Sequence, residues 1–439
     1  MSATKIDLLI NCRWIIPIVP DNQILEHCAI AIQDERLLGI YPQAEAEKRF
    51  EAIKVEHLDN HVVMPGLINA HGHAAMTLLR GYADDLPLRP WLEDHIWPAE
   101  SRHLSEEFVR DGTELAMAEM IASGTTCFAD MYFYHEAIAE AVRNAGMRCQ
   151  IGFTVLDFPT PYGRDANDYI HKGLALNDKY SGHPLLKIAC APHAPYSVSD
   201  PAMQVIATYA NELDMAVHIH CHETAQEVSE SLAEHGCRPL ERLNNLGLLL
   251  PQTQLVHMTQ TSSEDIRMVK DHNSHVVHCP ESNMKLASGN CPVAELLDAG
   301  VNTALGTDGA ASNNDLDLFS ELKTAALLAK SVSGNAAALD AHAALRMATI
   351  NGAKALGWEA EIGSLEAGKS ADLIAVQMDS IAQQPLYNPA SQLVYTNTGD
   401  KVTHSWVAGK PLLIQGQLQT MNRQSLIQTA TDWRNKIAS

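Results

Sequence analysis

The sequence contains no C-x-x-C pair, although it holds nine cysteines, at positions 12, 28, 127, 149, 190, 221, 237, 279 and 291. An odd count without close pairs argues against a disulfide framework or a Cys-rich zinc ribbon, and points to a reducing compartment. An excess of positive charge is also missing: 31 Lys and Arg stand against 53 Asp and Glu, a formal net charge of −22. Such a chain repels phosphate backbones and anionic membranes, so neither nucleic acid nor a membrane is an expected partner. No apolar run approaches the roughly 18 residues of a membrane helix. The first residues, MSATKIDLLINCRW, have no basic stretch leading into a long apolar one, so no secretory signal is expected. These absences together predict a cytoplasmic protein. What remains is ordinary globular composition, 46% hydrophobic and 19% charged, which excludes long disorder. A length of 439 residues allows a large catalytic domain and a smaller one.

Residues 1–63 read as short strands and polar turns (DLLINC, WIIPIV, CAIAIQDERLLGIY, KVEHLDNHVVM), the first part of a small β-domain. From residue 64 to about 362, short apolar strands alternate with helix-length segments. The strands are VVMPGLINAH, TTCFADMYF, CQIGFTVLD, LKIACAP, AVHIHCH, TQLVHMT, HVVHCP and VNTALGTD. Strand–helix alternation of this kind predicts a TIM-like (β/α)₈ barrel in the α/β class. An open doubly wound sheet is the alternative, but no G-x-G-x-x-G follows the first strand. Residues 363–439 return to strand-and-turn texture, so both termini are expected to build one β-sandwich domain beside the barrel.

Chemistry-bearing residues gather at strand ends. PGLINAHGH puts His71 and His73 two apart at the end of a strand, where two neutral imidazoles can face one divalent cation. In VHIHCHET, His218, His220 and His222 share one face of a regular strand, so spacing does not choose among them. Glu223 follows, and a carboxylic acid beside an activated water suits general acid–base hydrolysis. Asp308 ends VNTALGTD and is followed by Gly; taken alone it reads by default as an N-cap. His257 in LVHMT is ambiguous by itself. Four strand ends carrying metal-compatible groups are far less ambiguous together.

PGLINAHGH, HIHCHET, LVHMT, HCPESNMKLASG, GTDGAASNNDLDLF and the tail motif GSLEAGKSADLIAV resemble the amidohydrolase superfamily. More narrowly, they are similar to its 5′-methylthioadenosine/S-adenosylhomocysteine deaminase branch, over about residues 1–415. The resemblance implies one divalent metal, zinc with iron as the alternative, held by His71, His73, His220 and Asp308. The family's His-x-x-Glu pattern selects His220 with Glu223. Binuclear relatives carry a bridging Lys at the end of the fourth barrel strand. Here that strand reads KIACAPHAPYS, with His193 in the mouth and Lys187 at the other end, which implies a mononuclear site.

The resemblance also implies Glu100, in LPLRPWLEDHIWPAE, as acceptor for the ribose hydroxyls, and His193 as a substrate-binding residue. Trp91 and Trp97 are candidate pocket walls, and Arg148 and Arg164 lie nearby in sequence. The implied reaction is hydrolytic deamination of an adenosine-type nucleoside: 5′-methylthioadenosine, S-adenosylhomocysteine or adenosine. In it Glu223 is protonated toward N1 of the adenine, Asp308 accepts the proton of the attacking water, and His257 hydrogen-bonds the attacking oxygen. Glu223 and Asp308 therefore also contact substrate. Cytidine-type zinc deaminases need a P-C-x-x-C that this chain lacks. The competing readings are a sibling acting on guanine, 8-oxoguanine, cytosine or an s-triazine, and a non-catalytic barrel scaffold. A homo-oligomer is compatible with the sequence.

Overall fold

A computed structural model describes residues 3–438. Four strands come first: β1 Thr4–Ile15, β2 Leu25–Gln33, β3 Arg36–Pro42 and β4 Phe50–Pro65. Eight barrel strands follow: β5 Leu67–Asn69, β6 Thr125–Tyr132, β7 Arg148–Val155, β8 Leu186–Pro192, β9 Ala216–Cys221, β10 Thr253–His257, β11 His275–His278 and β12 Thr303–Leu305. The chain then forms β13 Leu373–Gln377, β14 Val402–Val407, β15 Lys410–Ile414 and β16 Gln417–Leu418.

β5 to β12 pair in parallel and in sequence order. Every residue of β6 and β7 is buried, as continuous apolar strands covered on both faces must be. The two ends of the sheet meet where Ala70 N donates to Leu305 O (2.8 Å) and Asp308 N to His71 O (3.1 Å). Gly306 permits this approach: a Cβ there would lie 2.8 Å from His71 Cβ. Closure therefore brings Asp308, from the last strand end, against His71 from the first.

The terminal strands form a second sheet in the order β16-β15-β14-β13-β4-β1-β2-β3. β1 and β4 are parallel; the other neighbours are antiparallel. DLLINC and WIIPIV merge into the single strand β1, with an irregularity between Cys12 and Trp14. One apolar cluster takes Ile10 and Ile30 from one half of the sheet and Leu373 and Trp406 from the other. Backbone bonds between the β3 strand and residues 368–369 bring the two halves together as a sandwich. The tail then leaves the sheet. A final helix, Arg423–Ala438, places Trp433 edge-on to Phe108 at 5.3 Å and donates its indole N–H to Asp111 (2.8 Å), on the barrel helix Glu106–Ala122. Among the described residues, no helix is long and apolar enough to cross a membrane.

Candidate metal and substrate site

The carboxyl ends of the barrel strands carry a cluster of buried histidines and carboxylates, where active sites of this architecture lie. His71 and His73 follow β5, their rings 4.8 Å apart. Each has its Nε2 close to Asp308 Oδ1, at 3.3 and 3.2 Å. His220, in β9, brings its Nε2 to 3.3 Å from that of His71. Asp308 occupies the left-handed region (φ +63°), a strained conformation for a non-glycine residue. Its Oδ1 also accepts from Gly309 N (2.8 Å), and its Oδ2 accepts from Ser282 Oγ (2.7 Å).

The other ring nitrogens fix the tautomers. His73 Nδ1 lies 2.7 Å from Met131 O, and His220 Nδ1 lies 2.6 Å from His193 O. A carbonyl oxygen only accepts, so each Nδ1 carries a proton and Nε2 is the nitrogen that supplies a lone pair when the ring is neutral. Burial, with smaller contributions from neighbouring histidines, holds His220 neutral, and burial does the same for His71. Asp308 stays ionised: burial opposes this, but its contacts with His71 and His73 outweigh burial. His73 is also depressed by burial, yet Asp308 raises it overall. Three Nε2 atoms and the Asp308 carboxylate converge on one point, each within 3.2–3.3 Å of a neighbour in the set. His71, His73, His220 and Asp308 thus form a nitrogen–oxygen donor set that fits a divalent metal.

His257 also lies close to His71 and His220. Its orientation differs, because Asn283 Nδ2 donates to its Nδ1 (2.9 Å), leaving the proton on Nε2. It therefore points a donor at the centre rather than a lone pair, and burial keeps it neutral, with its pKa near 4. His218 and His222 separate from His220. His218 sits between His71 Nδ1 and Gln254, while the strand ends at Cys221 and His222 (φ +53°) turns away to accept from Leu240 N.

That turn positions Glu223. Thr224 caps the following helix, Ala225–His235, accepting from Glu227 N (3.2 Å). Glu227 reaches back to accept from the backbone N–H of His222 (2.9 Å) and Glu223 (2.7 Å). Glu223 is held in the mouth, where Ser288 Oγ lies 3.3 Å from its Oε1. Burial above all, then the charges of Asp308 and Glu227, push its pKa well above the carboxylate range.

The cavity over this cluster is lined by His73, His193, His220, Glu223, His257, Asp308 and Glu100. Glu100 is buried on the helix Trp97–His103 and accepts from Tyr132 OH (2.5 Å). Burial raises its pKa to about 7, partly offset by Tyr132. The ring of His193 faces the cavity, its Nδ1 2.9 Å from Ser197 Oγ. Trp91 and Trp97 are indeed in the wall, with Phe158 against Trp97. Arg148 is not: it begins β7 at the opposite barrel end, buried against Asp372 and Ser370. Arg164 is not either; it is exposed and pairs with Asp168. Lys187 likewise begins β8 and bonds Gly357 O, away from the mouth.

Ser282, Asn283, Ser288, Tyr132 and Gln254 have no role in the sequence reading, and His218 enters it only as an alternative to His220. Ser282 and Asn283 stood within the HCPESNMK motif; the Pro that opens a helix at 280 places both over the mouth.

The Amidohydrolase family model matches residues 62–412. The chain belongs to the amidohydrolase family. It is 53% identical, over all of its own length and 99% of the relative's, to a 5-methylthioadenosine/S-adenosylhomocysteine deaminase of Teredinibacter turnerae. It superimposes with a TM-score of 0.99, at 46% identity and full coverage of both chains, on an adenosine deaminase of Xanthomonas campestris with bound zinc. An atrazine chlorohydrolase of Arthrobacter aurescens, at 22% identity, TM-score 0.91 and coverage of 97% and 100%, shares the fold. Membership of this metal-enzyme family agrees with the donor set, and the small-molecule cavity lies directly above it.

Proposed function

We propose that the chain is a zinc-dependent hydrolytic deaminase that converts the 6-amino group of an adenosine-type nucleoside to the 6-oxo form. The observation that carries this reading is the placement of buried Glu223, its carboxyl pushed well above the usual range by burial, beside the four-residue donor set, with Glu100 lining the same cavity. Relatives named as deaminases over the full chain support it.

His71, His73, His220 and Asp308 would hold the metal, whose contribution is Lewis-acid activation of water near neutral pH. Asp308 accepts the proton of the attacking water, its far oxygen steadied by Ser282. His257 donates from Nε2 to the attacking oxygen. Glu223 donates to N1 of the adenine, which makes C6 electrophilic. Water adds at C6, the proton held by Asp308 passes to the amino nitrogen, and the C–N bond breaks to release ammonia while the C6 hydroxyl proton returns to Glu223, leaving the 6-oxo product. Glu100 accepts from the two ribose hydroxyls, and His193 contacts the substrate from the adjoining wall. Residues 64–362 serve as the catalytic domain, with 1–63 and the strands of 363–439 supplying the small β-domain, while the final helix returns to the barrel. All nine cysteines are free, which suits the cytoplasm.

A panel of nucleosides and free bases tests the reading through ammonia release. Adenosine-type nucleosides should turn over, whereas guanine, cytosine and s-triazines should not. Preferential turnover of a free base would contradict it.

A further inference from the structure

Gln254 is fully buried in β10, next to His218 in the parallel register between β10 and β9. It touches neither the cavity nor any of the four ligands directly, yet a continuous chain of hydrogen bonds joins it to His71. Gln254 Nε2 donates to Ala355 O at 2.8 Å. That carbonyl only accepts, so the amide orientation is settled and Oε1 faces His218 Nδ1 at 2.5 Å. An amide oxygen also only accepts, so His218 carries its proton on Nδ1 and keeps a lone pair on Nε2. His218 Nε2 lies 2.7 Å from His71 Nδ1, which must then be the donor. His71 is left with its Nε2 lone pair directed at Asp308 and His220. One backbone carbonyl thereby dictates the tautomer of a metal-compatible histidine through two intervening side chains.

We propose that Gln254 is a positioning residue that, through His218, locks His71 in the Nδ1–H tautomer and so keeps its Nε2 free for a divalent cation. The proposal rests on the metal-site reading above. The polar barrel interior has a purpose on this account: an apolar side chain in place of Gln254 would free His218 to take its other tautomer. His218 would then present an Nε2–H to His71 and drive the His71 proton onto the ligating nitrogen. His73 and His220 need no such relay, because each is anchored directly on a main-chain carbonyl.

The test is the Zn²⁺ affinity of the purified, metal-stripped chain, measured by competition with a chromophoric chelator. Gln254→Met matches the side chain in size but removes the acceptor; it should weaken binding about 10–100-fold, the usual effect of losing such a supporting partner. Gln254→Glu, measured at a pH where the buried carboxyl is protonated, can still donate to Ala355 O and keep an acceptor facing His218, and should stay within about threefold of wild type, a rescue that a packing role would not give. A second pair covers poor folding of the Met variant. His218→Gln can still accept from His71 and donate to Gln254, and should retain affinity, while His218→Leu should lose it. Equal affinities across either pair would overturn the proposal. Failure of the wild-type chain to bind Zn²⁺ at all would instead overturn the metal-site reading, and this proposal with it.

Discussion

Tyr132 donates its hydroxyl to Glu100 Oε1 at 2.5 Å inside the cavity wall. The bond favours the ionised carboxylate, but burial works against it and leaves the Glu100 pKa at about 7. A carboxyl raised in the folded state is penalised once pH climbs past its ordinary value, and the penalty is complete above about pH 7. Glu100→Gln should therefore stabilise the fold at pH 8 and leave it unchanged at pH 4, by up to about 3 kcal/mol for a shift of this size. Thermal unfolding at the two pH values checks this.

The same titration sets substrate affinity. Below about pH 7 Glu100 is protonated and accepts less well from the ribose diol, so KM should rise as pH falls through 7. In Glu100→Gln, KM should be higher than wild type above pH 7, approach it below, and lose that dependence. Steady-state kinetics between pH 5.5 and 8.5 provide the measurement, and an unchanged KM profile would remove Glu100 from the ribose.

Glu223→Gln keeps the shape and hydrogen-bonding capacity of the side chain but cannot transfer a proton. It should retain bound metal while kcat drops about 10²–10⁴-fold, the usual size of a general acid–base contribution. Near-normal ammonia release from this variant would assign the proton transfer elsewhere.

Ser282→Ala removes the donor to Asp308 Oδ2 without altering the donor set itself. A lost bond to a charged group costs about 1.5–3 kcal/mol, so kcat should fall by one to two orders of magnitude with metal content near one per chain. Loss of metal instead would mean that Ser282 serves binding rather than turnover.

Among the described residues no Lys or Arg lines the cavity, whose wall includes Trp91, Trp97, Phe158, Leu88 and Leu92; Arg89 lines the adjoining groove, paired with Glu93 and Glu230. The methylthio group suits that wall, whereas the homocysteinyl carboxylate would be desolvated without a cationic partner, at a cost. The ratio of kcat/KM for the two substrates should favour methylthioadenosine at least tenfold. Equal values would point to a route out of this cavity for the longer substituent.

Much of this was legible in the chain. The eight barrel strands stand out because apolar runs alternate with helix-length segments, and strand ends at 71, 220, 257 and 308 carry residue types that rarely gather without a metal. Spacing alone left His218, His220 and His222 equivalent; the turn at His222 and the bond from His218 to Gln254 separate them, and both are tertiary facts. Gln254, Ser282 and Asn283 were silent because amides and hydroxyls occur throughout any chain and gain meaning only from what closure brings against them. The final helix escaped for another reason. Only Leu426, Trp433 and Ile437 are buried along it, too sparse a stripe to announce a helical period.

Ammonia release from methylthioadenosine, measured against the number of divalent metal ions bound per chain, tests the central claim most directly. The rate should rise linearly with loading, saturate at one zinc per chain, and yield one ammonia and one 6-oxo product for each nucleoside consumed. Full activity in metal-free protein, saturation only at two ions, or no ammonia from folded, fully loaded chain would contradict it.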